Sequence, residues 1–155
     1  MKVELTIWQW WALRMLSYAG GSSQTLEGLA AARIRIEREI EASLDLLGLE
    51  WYGSTGLRAK DGQDPSMRME GLAACDMAPP EIYALFTACH GDQGRGRYIW
   101  PQGLPARAIE VAVSIGAVLN ELVEDAAGWE AYEKLPDKVK RGLRKKKEAE
   151  DNAKA

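Results

Sequence analysis

With 155 residues, 46% of them apolar and 28% charged, the chain has the make-up of one globular domain large enough to bury a core without staples. No apolar run approaches the ~20 residues of a membrane helix, and two cysteines cannot build a disulfide framework; the reading is a cytoplasmic protein with free thiols. The net charge of −3 conceals an asymmetry: residues 1–133 hold 11 Lys/Arg against 19 Asp/Glu, whereas "KLPDKVKRGLRKKK" at 134–147 holds eight cations and one anion.

The opening "MKVELTIWQWW" carries charge at Lys2 and Glu4 and lacks a small-residue cleavage site, which argues against a signal peptide. Residues 3–19 predict an amphipathic helix, with Leu5, Trp8, Trp11, Ala12, Met15 and Ala19 on one face and Gly20-Gly21 as its stop. Neighbouring residues on a helix lie ~100° apart, so Trp8, Trp10 and Trp11 are not expected to point inward together. Trp10 is the one expected to project sideways, toward a flank or a partner.

A second helix is predicted from about 24 to 47, with Leu26, Leu29, Ile36, Ile40 and Leu47 as its inner stripe and Gly48 as its stop. Its Arg33, Arg35 and Arg38 alternate with Glu37, Glu39 and Glu41, the pattern of a solvated face held by local ion pairs; an arginine surface for phosphate is the alternative. Periodicity then fails from Trp51 to Asp76, which predicts a long loop with one short helical turn. Pro79-Pro80 opens a third helix through "EIYALFTACH", with Ile82, Leu85, Phe86 and Cys89 inward and Gly91 at its end. The following "GDQGRGRYIWPQGLP" is a second Gly-rich loop in which Arg95, Arg97, Tyr98 and Trp100 interleave positive charge with aromatic rings, a composition suited to nucleic acid. A fourth helix is predicted within 106–127, broken by Gly128. "WEAYEKL" makes a short segment, and after Pro136 comes a last basic helix that has little to bury beyond Val139 and Leu143 and should fray past about residue 147. No alternation typical of strands is evident, so the predicted fold is all-α: a compact helical domain over 1–133 and a basic helical tail over 134–155.

The fourth helix admits two readings. A helix-turn-helix wants a small residue in its first helix, a glycine four residues later, and an apolar residue six beyond; Ala112, Gly116 and Leu122 fill these places, with Glu110 and Ile115 also fitting. Read instead as one helix, residues 106–127 carry two adjacent apolar stripes and bury Gly116 within them. The second helix of the motif would present Asn120 beside Glu121, Glu124 and Asp125, and three carboxylates are electrostatically wrong against DNA.

The order of these features resembles the late-gene antiterminators of lambdoid-type phages, the Q proteins: a Trp-rich first helix ("WQWWALRM"), a Gly/Ser segment, and a "PPE" helix start ahead of a helix-turn-helix near the C-terminus. The resemblance implies a phage transcription regulator that binds DNA beside a late promoter and loads onto RNA polymerase. Carried over residue by residue, Glu110, Ala112, Ile115 and Gly116 match the helix-turn-helix pattern, and the acidic second helix departs from it.

Catalytic motifs are sparse. His90 is the only histidine, and Cys89 beside it would point ~100° away on a helix, a poor nucleophile–base pair. As the last residue of a helix, His90 is better read as meeting the negative dipole end. Cys75, Cys89 and His90 are too few for a structural zinc site, and the expectation is a non-enzyme without cofactor or metal. Two function classes follow. One is a regulator that holds nucleic acid through Arg95, Arg97, Asn120, Lys138, Lys140, Arg141, Arg144, Lys145, Lys146 and Lys147 and reaches RNA polymerase. The other is a small inhibitor or adaptor that engages another host protein through Trp10 and Trp100.

Overall fold

The computed structural model describes residues 1–18, 23–90 and 100–154, without the side chains of 23–26 and 154. It overturns the all-α expectation: two antiparallel two-stranded sheets accompany five helices among the described residues. The first sheet pairs β1 (Lys2–Thr6) with β4 (Leu72–Asp76), in a register running from Lys2 opposite Asp76 to Thr6 opposite Leu72. The second is a hairpin of β2 (Leu49–Tyr52) and β3 (Gly56–Ala59). The helices are α1 (Ile7–Ser17), α2 (Ser23–Leu46), α3 (Pro79–His90), α4 (Ala106–Glu133) and α5 (Asp137–Lys154).

The chain begins as a strand because "KVELT" alternates, with Val3 buried and Lys2 and Glu4 outward, a period of two that a helical stripe through Leu5 overlooks. Helix α1 then starts at a capping box. The Thr6 hydroxyl accepts from the Gln9 amide at 3.2 Å, and the Gln9 side chain accepts from the Thr6 amide at 2.9 Å. From there α1 is covered on every side, Ile7, Trp8 and Trp10 through Ser17 all being buried, as expected of a helix that is apolar all round. Helices α2, α3 and α4 all pack against it.

Trp8, Trp10 and Trp11 all point into protein because the segment after α2 wraps around the side of α1 that the other helices leave open. Each indole donates to a different backbone carbonyl of that segment: Trp8 to Ser66 at 3.1 Å, Trp10 to Ala73 on β4 at 2.8 Å, and Trp11 to Thr55 in the hairpin turn at 3.0 Å. Trp10, expected to project toward a partner, is 0% exposed. The predicted 51–76 loop is therefore structured, as the hairpin, a 3₁₀ turn at Arg68–Glu70 and β4. The hairpin is entered through Gly48, whose φ of 69° ends α2, and turned through Gly53 at φ 60°. Its Glu50 and Arg58 face each other across the strands in a 2.7 Å ion pair.

Buried Arg14 fixes the hairpin turn to α1. Its guanidinium donates to the carbonyls of Gly53 and Gly56 and to Glu37 at 3.0 Å, and lies 4.6 Å from the ring centroid of Trp51. Arg14→Met keeps the apolar stem but removes the donor to two carbonyls and leaves the Glu37 carboxylate with only the Tyr18 hydroxyl, at 2.8 Å. Because Glu37 is partly solvated, we expect a cost of about 2 kcal/mol, read in urea denaturation and concentrated as faster amide exchange in 49–59.

Cys75 sits on β4, 2% exposed, and burial, reinforced by the nearby Glu39 carboxylate, pushes its thiol pKa up to about 12. A thiol-specific reagent at pH 8 should modify Cys75 no faster than the chain unfolds. Rapid native-state labelling, mapped by mass spectrometry, would contradict this placement.

Helix α2 buries Leu29, Ile36 and Ile40 as expected, adding Ala32 and Leu44, while Leu47 lies beyond its end and the side chain of Leu26 lies outside those described. The fourth helix is continuous. It runs through Gly116 and Gly128 without a turn, burying Ala108, Val111, Ala112, Ile115, Leu119, Leu122 and Ala126 along one face. No helix is long and apolar enough to cross a membrane among the described residues.

Candidate nucleic-acid interface

The helix-turn-helix core is not assembled. Ala112, Ile115 and Leu122 are buried where α4 meets the body, and Gly116 lies within helical backbone. Its missing side chain has a packing reason: a Cβ there would come 3.3 Å from Cε1 of His90, the last residue of α3, whose ring lies 4.4 Å from that of Phe86. Glu110 is exposed and paired with Arg107 at 3.2 Å. Asn120 is exposed beside the equally exposed Glu121, Glu124 and Asp125, so this stretch of α4 offers an acidic surface, unfavourable to phosphate. Trp100 is partly buried against the core. Arg95 and Arg97 lie outside the described residues.

The remaining candidates converge on α5. Pro136 ends the preceding turn, since a proline disfavours helical backbone in the residue before it. The chain reverses over Lys134–Pro136, and the Pro136 carbonyl accepts from the Lys140 amide at 3.1 Å to open α5. The new helix extends to Lys154, beyond the expected fraying point, and all its described side chains except Lys140 are exposed. Lys138, Arg141 and Lys145 recur at three and four residues and so share one face, while Lys140, Arg144 and Lys147 share another.

The second of these faces turns back to α4. Lys140 pairs with Glu133 at 3.6 Å and lies 5.7 Å from the ring centroid of Tyr132, and Nε of Arg144 donates to the Tyr132 hydroxyl at 3.1 Å. That hydrogen bond raises the Arg144 pKa further, so its charge is fixed across the working pH range. Lys138, Arg141, Lys145, Lys146 and Lys147 form no ion pair among the described residues.

Between α4, α5 and the first two residues lies a groove of about 750 Å³, with Trp129, Tyr132, Leu143 and Gly128 as its apolar lining and Lys2, Arg144, Lys147, Asp125 and Glu133 as its polar lining. Trp129 is 42% exposed there, and its ring lies 6.3 Å from that of Tyr132. Sequence reasoning singled out neither aromatic. The available signal was the Trp129–Tyr132 spacing of three on a helix that ends just before a cationic one.

The described residues thus define a mixed α/β body with a projecting basic helix and an aromatic groove at its root. No protein-family model, curated protein or solved structure matches the chain, so function rests on the chemistry of this site.

Proposed function

We propose that this protein is a nucleic-acid-associated regulator that holds a phosphate backbone with α5 while its acidic body stays turned away. The observation that carries the reading is a set of exposed cations on α5, Lys138, Arg141, Lys145, Lys146 and Lys147, that form no ion pair among the described residues of an otherwise anionic chain. Unpaired Lys and Arg on one helical face release counterions when they meet phosphates, and the −8 body (11 Lys/Arg against 19 Asp/Glu in 1–133) orients the approach. Sequence-specific reading through α4 is not part of this proposal, because no recognition helix forms there.

The fuller form of the reading is transcriptional: nucleic acid on α5 and RNA polymerase, or another host protein, on the acidic surface of α4. Binding of the full chain to labelled DNA and RNA across a salt series tests the first half. Affinity should fall steeply with ionic strength, and absence of binding at about 20 mM salt would reject it. Pull-down from bacterial lysate with and without nuclease tests the second, with nuclease-resistant recovery of RNA polymerase as the supporting result.

A further inference from the structure

Resting on that reading, we infer that the groove at the root of α5 receives an unpaired nucleobase stacked on Trp129, so that the ligand is a single strand and not a duplex. Cations on α5 alone would favour the duplex, whose phosphates are more densely spaced. The groove adds what a bare basic helix lacks. Trp129 is packed against Tyr132 on one side and leaves 42% of its surface exposed to the groove, whereas Tyr132 is already engaged by Arg144 and Lys140. Asp125 and Glu133 would repel a phosphate placed inside, but they can accept from the exocyclic amines of a base or from a ribose hydroxyl. Lys2, Arg144 and Lys147, in the same lining, can meet the flanking phosphates. A base enters such a groove only when it is free of its partner strand, because a duplex keeps its rings stacked within the helix.

Gly128 supplies an independent handle. It lines the groove, and a Cβ added there meets nothing within 4 Å, so a side chain can start from this position unobstructed; Gly128→Leu adds bulk at the groove lining and favours the helix. The experiment is fluorescence anisotropy of the full chain with a labelled mixed-sequence single strand of 20 nucleotides and with a 20-base-pair duplex at low salt. The wild type should prefer the single strand by about tenfold. Trp129→Ala and Gly128→Leu should each abolish that preference and leave duplex binding unchanged, while Trp129→Phe should keep most of it. Equal or tighter duplex binding by the wild type, or no effect of either variant on the preference, overturns the inference and leaves α5 as a simple polyanion contact. No binding to either ligand overturns the inference together with the reading it rests on.

Discussion

Trp10→Ala is expected to cost about 3–5 kcal/mol, the usual range for deleting a buried aromatic ring. A domain of this kind has roughly 5–15 kcal/mol of stability in all, so the variant should be largely unfolded or sharply shifted in Tm. The indole is fully enclosed in α1 and donates to Ala73 on β4, so its removal both opens a cavity and strands a carbonyl. Trp10→Phe separates the two effects. It restores most of the ring volume but not the donor, and should cost about 1–3 kcal/mol. Urea denaturation of the three proteins measures the series. A Trp10 that served a partner would instead leave stability near wild type and weaken a complex.

Neutralising α5 should produce the largest functional effect. In Lys138→Gln, Arg141→Gln, Lys145→Gln and Lys146→Gln combined, four exposed side chains without ion pairs are changed, and the groove residues Arg144 and Lys147 remain. If these four meet phosphates, the slope of log affinity against log salt should become shallower by about three, and affinity at about 50 mM salt should drop at least about tenfold. Thermal stability should stay within about 0.5 kcal/mol of wild type, since none of the four is buried or bridged. An unchanged salt slope in this variant would remove α5 from the interface.

Helix positions were well marked in the sequence wherever apolar spacing and stop signals agreed. The α2 stripe through Leu29, Ile36 and Ile40, the Pro79-Pro80 start of α3, and the break at Pro136 all rest on local chemistry that holds whatever surrounds it. The basic tail was equally visible, because charge is a property of composition. The strands were not, since β1 and β4 are five residues each and lie some seventy residues apart in sequence. A strand that short is stabilised by its partner and gives little local signal.

The sequence by itself determined the spans of α2 and α3, the start of the basic helix, the cationic tail and the acidic body, all set by neighbouring residues or by simple counting, while the start of α1 and the continuity of α4 through Gly116 and Gly128 were not. Tertiary structure alone decided three things: that Trp8, Trp10 and Trp11 all find partners, that Gly116 is a packing point against His90, and that Trp129 meets Arg144 and Lys147 at one groove. Each depends on a contact between segments distant along the chain. Helical periodicity tells which residues share a face, but not what the rest of the chain brings to cover it.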